Sequence, residues 1–376
     1  MASSATVIHP PTRLLLGPGP SPIHPRIYAA LGQPIVGHLD PYLFEIFSDI
    51  RRLLQSCWGT QNEFTFVIPG TGTAGMETAV VNFVAPGARF AVFVNGIFGE
   101  RLCEIGRRRG ARLLRVAKPW GQVFSDEEAA GFIQRERPDV VAFVNAETST
   151  GAWQDGRAIA RAASEIGALT IADCVTSLGG MPINLDAMGV DIAYSGTQKA
   201  LGAPPGLAPI TCSPRAVEWL RAHESAVPYY FDLKLLADYY GPARRYHHTP
   251  PVPMFYALRE ALAIIEEEGL ENRFARHKAN HEACVAGLEK LGLSLLVDKP
   301  HRLWTVATPR VPAGIDDALA RRSMSEHHGI EIAGGLGSLA GQIFRLGNMG
   351  YGSSAENVKL VLGALAEALR EQGYTA

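Results

Sequence analysis

Nowhere in its 376 residues does the chain approach the roughly 20 consecutive apolar residues that a membrane-spanning helix requires. The opening stretch, MASSATVIHPPTRLLLGPGPSP, has only a three-leucine apolar run flanked by prolines, and so lacks the core of a secretory leader. The final residues, EQGYTA, carry no SKL-like peroxisomal address. Cysteine is scarce: the five (Cys57, Cys103, Cys174, Cys212, Cys284) are scattered, form no CxxC pair and leave one over, which argues against a disulfide framework or a structural zinc site. Charge of one sign is also missing, since 35 basic residues face 37 acidic ones for a formal charge of −2. That balance gives no reason to expect nucleic acid or an anionic membrane as partner. The expectation is a soluble, cytoplasmic protein that acts on small molecules.

Its organisation is an alternation. From about residue 64, short β-branched or aromatic runs alternate with helical patterns, which predicts an α/β fold with a mainly parallel sheet covered by helices. FTFVIP (64–69), RFAVFVN (89–95), DVVAFVNAETSTG (139–151), ALTIADCVTSLGG (168–180) and DIAYSG (191–196) supply strands; AGMETAVVNFV, GERLCEIGRRRG and DGRAIARAASEIG (155–167) read as helices. The strands are unbroken apolar runs, as when both faces are covered. Residues 254–292 are helical with a break near Gly269; strands RLWTVAT and QIFRLG follow, with helices around 315–328 and 355–372. The pattern predicts an N-terminal extension (1–16), a large domain (17–264) and a smaller C-terminal α+β domain (265–376).

Ligands of open α/β sheets gather beyond the carboxyl ends of the strands. Thr148, Asp173 and Lys199 all stand at such ends, and the loop Gly70-Thr71-Gly72-Thr73-Ala74-Gly75 follows its own strand and opens a helix. Free backbone N–H groups and the helix dipole make that loop an anion cradle. It also fits GxGxxG, but a dinucleotide site wants an acidic residue at the end of the next strand, where this chain has Asn95; no GK[ST] follows either. A single phosphate is the more economical ligand. Singly, Asp173 is equally compatible with a turn or cap and the loop with a tight turn. Jointly, a lysine, a carboxylate and a phosphate nest answer the needs of pyridoxal phosphate, whose aldehyde bonds a lysine amine and whose ring nitrogen seeks an acidic partner.

The stretches LLLGPGPSPIHPRI, DCVTSLGG, SGTQKALGAPPG and YHHTPPVPMFYALREAL resemble the fold-type I, class V pyridoxal-phosphate aminotransferases, nearest to their alanine–glyoxylate type, from about residue 14 to near the C-terminus. The resemblance implies that Lys199 bonds the cofactor aldehyde and that Asp173 partners the ring nitrogen. It places Val175 and Phe98 on the two ring faces, with phenylalanine where the family more often has tryptophan. Thr71, Gly72, Thr73 and Gln198 would hold the phosphate, and Thr148 would reach the ring hydroxyl. Tyr246 and Thr249 would serve the phosphate site of the other subunit of a homodimer whose active site lies at the interface. Arg345, a cation in an apolar strand, would grip the substrate carboxylate, and Gly19 would let the N-terminal segment pass the substrate. No metal is implied, and His247 and His248 read as structural neighbours.

The expected reaction is ping-pong transamination, through pyridoxamine phosphate, between a small amino acid, L-alanine, and a 2-oxo acid, glyoxylate. Serine–glyoxylate or serine–pyruvate transamination is the nearest alternative, and a cysteine-desulfurase-like activity is more remote. From other classes, a nicotinamide-dependent oxidoreductase leaves Lys199 idle, and a binding module without turnover leaves Lys199, Asp173 and Arg345 without a purpose.

Overall fold

Seven strands, five of them the apolar runs above, pair into one sheet in a computed structural model that describes residues 8–223 and 226–375. The first seven residues, and with them most of the leader reading and the start of the N-terminal extension, lie outside the described residues, as does Ala376 of the terminal EQGYTA. The strands are β1 (Phe64–Pro69), β2 (Arg89–Val94), β3 (Arg112–Ala117), β4 (Val140–Val144), β5 (Leu169–Asp173), β6 (Ile192–Tyr194) and β7 (Leu207–Cys212). Across the sheet they run β1-β7-β6-β5-β4-β2-β3. Only β7 is antiparallel to its neighbours. The carboxyl ends of β1, β2, β4, β5 and β6 therefore share one edge, and every residue of β4 and β5 is buried.

Two strands and several helices escape a reading by apolar runs. β3 is the edge of the sheet, and its RLLRVA sets exposed arginines on either side of two half-buried leucines. β7 contains Pro209, which would ordinarily argue against an interior strand; its carbonyl nonetheless accepts from Ser195 N (2.8 Å), and only its missing N–H is lost to the ladder. Helix α1 (Pro41–Trp58) begins with an Asp40 cap and a proline in its first turn and stops at Gly59. Of RLWTVAT only Val306–Ala307 forms a strand. The reason is local: Leu303 N donates to Gly151 O (2.8 Å), so the segment pairs with the loop at 150–152 and not with a neighbouring strand.

Further helices are α2 (Gly72–Phe83), α3 (Ile97–Arg108), α4 (Asp126–Glu136, with Ser125 and Glu128 forming its capping box), α5 (Val252–Glu268) and α6 (Leu270–Lys290). Gly269, with φ +78°, separates α5 from α6. The side chains collect into a large core around the sheet, which includes Ile265 of α5, and a smaller one around Leu288, Met324, Phe344 and Leu365. Leu16 belongs to the smaller core, and Leu14–Leu15 pairs in parallel with Ile330–Glu331. The N-terminal segment thus starts from the smaller core before it reaches the sheet edge. No helix among the described residues is long and apolar enough to cross a membrane.

Arg273 of α6 fastens the two cores together. It is 3% exposed, donates from Nε to Gly179 O (2.7 Å) and from Nη2 to Ala200 O (2.6 Å), and pairs with Glu268 (2.8 Å). Ala200 is the neighbour of Lys199, so this arginine also braces the lysine loop. Removing one partner of a buried pair leaves polar groups unsatisfied. Arg273→Ala is expected to lower the unfolding free energy by about 3 kcal/mol, as read from denaturant midpoints at constant m-value.

Candidate active site

At the carboxyl edge of the sheet, Asp173 ends β5 and is 2% exposed. Its Oδ1 accepts from Val175 N (2.9 Å) and its Oδ2 from the phenol of Tyr194 (2.8 Å), at the end of β6. Burial lifts its pKa to about 6, against the pull of those two donors and of the more distant Arg101 and Lys199. Three residues past β1, Gly72 opens α2; Thr71 stands at the cap position with its hydroxyl making no cap bond. Gly70 N donates to Gly206 O (2.8 Å), which ties this loop to the far end of the lysine segment.

Lys199 sits in the turn after β6. Its Nζ donates to the carbonyl of Pro18, while Ser21 Oγ donates back to Lys199 O (2.8 Å). Desolvation first, and then the charge of Arg345, lower its pKa to about 8, although Asp173 pulls the other way. Gly19 has φ +107°, and a Cβ there would fall 2.6 Å from Lys199 Nζ, so the N-terminal segment passes close over the amine only because this residue is glycine.

One cavity of about 200 Å³ is bounded by Thr71, Gly72, Thr73, Phe98, Thr148, Asp173, Val175, Gln198 and Lys199, together with Met76 and Arg101. A second, of about 310 Å³, shares Phe98, Thr148 and Lys199 with the first and adds Gly19 and Arg345. Arg345, 6% exposed, donates from Nε to Gly334 O (2.8 Å) and from Nη1 to Thr148 O (3.4 Å). No carboxylate pairs with it among the described residues, and burial holds its pKa down at about 10.

Eleven of the thirteen expected residues thus surround two adjoining cavities. Tyr246 and Thr249 do not: their hydroxyls lie 3.4 Å apart, and Tyr246 is 51% exposed outside this cavity. His247 and His248 bond each other (2.8 Å) beside Tyr229. Among the described residues no cluster could hold a metal ion.

Sequence reasoning missed Tyr194 and Glu147. Glu147, fully buried, accepts from Ser149 Oγ (2.6 Å) and N (3.0 Å) and from Phe98 N (3.1 Å). Ser149 Oγ in turn accepts from Ile97 N (3.0 Å). Helix α3 starts from a glycine with no capping side chain, so Glu147 and Ser149 supply the cap from another strand end and fix Phe98. Nothing in the order of residues links the two segments; only the spacing ExS just past a buried strand hints at it.

This is the constellation of an enzyme that works through a covalently held phosphorylated cofactor. The profile described as aminotransferase class-V matches residues 26–357, and the chain belongs to that family. An alanine–glyoxylate aminotransferase of Callithrix jacchus is 40% identical over 365 residues, covering 96% of this chain and 88% of that protein. The (S)-ureidoglycine–glyoxylate transaminase of Bacillus subtilis is 35% identical, covering 96% and 91%. Among solved structures, an alanine–glyoxylate aminotransferase from Nostoc sp. superposes with a TM-score of 0.96 at 45% identity over 98% of both chains. The protein is a pyridoxal-phosphate-dependent aminotransferase of fold type I. Its residues fit that cofactor: the Thr71 hydroxyl makes no cap bond and is free to donate at the start of α2, and an acid and a lysine face the same cavity.

The Glu147 carboxyl is pushed up to about 7, chiefly by desolvation. Because the folded state then holds a proton that the unfolded chain has already lost, its contribution to stability is present at low pH and declines as pH rises through about 7. Glu147→Gln is expected to flatten the fall of denaturant midpoint between roughly pH 4.5 and 7, a loss on the order of 3 kcal/mol in the parent; an unaltered slope would exclude Glu147 as its source.

Proposed function

We propose that the enzyme moves the amino group of a small 2-amino acid, L-alanine, to glyoxylate in a ping-pong exchange. The observation that carries this reading is Arg345: a buried guanidinium bonded only to backbone carbonyls, in the wall of the cavity that also holds Lys199. An unpaired buried cation is costly unless an anion joins it, and a planar fork suits a substrate carboxylate. Gly17, Gly19 and Ala333 line the same cavity and favour a short side chain. The similarity to alanine–glyoxylate aminotransferases supports the same pair of substrates.

When bound, pyridoxal phosphate supplies the electron sink that makes loss of the substrate Cα proton feasible. In this reading the Lys199 amine would anchor the cofactor, and its Nζ, once free, would take the proton from the substrate Cα and carry it away from that carbon. Asp173 holds the ring-nitrogen proton, kept ionised above about pH 6 by Val175 N and Tyr194 OH. Phe98 and Val175 clasp the ring faces and orient the Cα–H bond toward Lys199. Thr71, Gly72, Thr73 and Gln198 take the phosphate, Thr148 the ring hydroxyl, and Gly19 lets the chain close over the substrate. Tyr246 and Thr249 serve the phosphate site of a second copy in a homodimer, which accounts for their exposure in one chain. A division into a large domain (17–264) and a small one (265–376) draws support from the separate cores, with the boundary better drawn at the Gly269 helix break, since Ile265 packs in the large core. Free, buried cysteines support a cytoplasmic setting.

Rapid mixing of the cofactor-loaded enzyme with single amino acids, with assay of the oxo acid released, tests the donor. L-Alanine is expected to convert fastest, ahead of L-serine by roughly 10-fold or more, since one added group changes binding by about 1–3 kcal/mol. Faster conversion of serine or ureidoglycine would replace the donor. Lys199→Ala is expected to lose at least roughly 10²–10⁴-fold in turnover, the share of a positioned general base; turnover at the parent rate would refute the assignment. Because the Lys199 amine is neutral only above its depressed pKa of about 8, capture of the cofactor by the free protein should accelerate as pH rises through that value. Arg345→Gln removes a cation that lowers it, so the midpoint should move upward.

A further inference from the structure

The cradle proposed for the cofactor phosphate has a charge deficit. Thr71, Gly72, Thr73 and Gln198 are neutral, and a phosphate dianion gains from them only hydrogen bonds and the partial charge of the α2 N-terminus. Of the cations bordering that cavity, Lys199 is engaged at its other end with Pro18 and, in the proposed reaction, with the aldehyde. One cation is left. Arg101, in the first turns of α3, donates from Nη1 to Thr73 Oγ1 (2.9 Å) and spreads its guanidinium over the Phe98 ring at 4.8 Å from the centroid. No carboxylate lies within ion-pairing distance of it among the described residues, whereas its helix neighbours Arg107, Arg108 and Arg115 of β3 are all paired with Glu104 or Glu100. Its charge reaches into the site, since it counts among the groups that draw down the pKa of Asp173.

The spacing explains how it arrives there. Phe98 and Arg101 are three apart on α3, so they share one face, and the Glu147–Ser149 cap that fixes Phe98 fixes Arg101 with it. The bond to Thr73 puts the guanidinium beside the first turn of α2, the end of the cavity where the proposed phosphate donors converge.

The geometry points to Arg101 as the cation that neutralises the cofactor phosphate, while the aliphatic and π contact with Phe98 preorganises it. This rests on the proposed position of the phosphate. Arg101 works as a cofactor-binding residue; it touches neither the substrate carboxylate, which belongs to Arg345, nor the reacting carbon.

The test compares cofactor with and without its phosphate. Apo protein, as parent, Arg101→Gln and Arg101→Lys, is titrated with pyridoxal phosphate and with pyridoxal, following the visible band of the bound cofactor; thermal midpoints are recorded with and without inorganic phosphate. Loss of a charge-assisted hydrogen bond is expected to weaken pyridoxal phosphate binding by about 10–100-fold in Arg101→Gln, with pyridoxal affinity unchanged and most of the loss restored in Arg101→Lys. Inorganic phosphate should stabilise the parent apo protein and not the glutamine variant. Equal weakening for both ligands, no weakening for either, or a rise confined to the KM of the amino acid would each overturn the inference. A parent that binds pyridoxal as tightly as pyridoxal phosphate would instead refute the phosphate cradle itself.

Discussion

A lysine amine taken out of water is the constraint on which the remainder depends. Lys199 gives up hydration for a single carbonyl partner, Pro18, between a carboxylate that would keep it charged and an arginine that would not. Desolvation and Arg345 prevail, and its pKa falls to about 8. A base poised near neutrality is useful only if its neighbours hold still. The protein meets that need by making each neighbour part of something rigid: Asp173 is the last residue of a fully buried strand, Arg345 belongs to a strand of the smaller core, and Pro18 lies on a segment pinned by Ser21 to the lysine loop itself.

The site is therefore a seam. Strand ends of the large sheet deliver Asp173, Thr148 and the turn carrying Lys199; the smaller core delivers Arg345; and the N-terminal segment, which begins in the smaller core at Leu16, crosses to the lysine. Arg273 bolts α6 onto the carbonyl beside Lys199, so relative motion of the two cores would be felt at the amine. Burial raises the proton affinity of the Glu147 and Asp173 carboxyls, and the donors each gathers, at the α3 cap for one and from Val175 and Tyr194 for the other, pull it back down.

What could be read beforehand was whatever is local or periodic. The parallel strands showed themselves as unbroken apolar runs, and Lys199, Asp173 and the glycine-rich loop 70–75 as breaks at their carboxyl ends. Pro209 hid β7 because a proline inside a strand looks like a break until its carbonyl is seen to carry the ladder. β3 hid because, at the sheet edge, exposed arginines interrupt its apolar residues. Glu147, Tyr194 and Arg101 were invisible for another reason: each acts on a partner from a different segment, at sequence separations of 49, 21 and 28 residues. Such contacts leave no pattern in one chain, and only the folded sheet edge brings them together. Tyr246 and Thr249 illustrate the converse, since family likeness nominated them and a single chain leaves them outside its own cavity.

The central claim is that one amine, Lys199, holds the cofactor. Borohydride reduction of the cofactor-loaded protein, followed by proteolysis and mass spectrometry, examines it directly. The account predicts a single adduct, on the peptide carrying Lys199, whose yield falls when L-alanine is added first. An adduct on another lysine, or none on a protein that still transaminates, would contradict it.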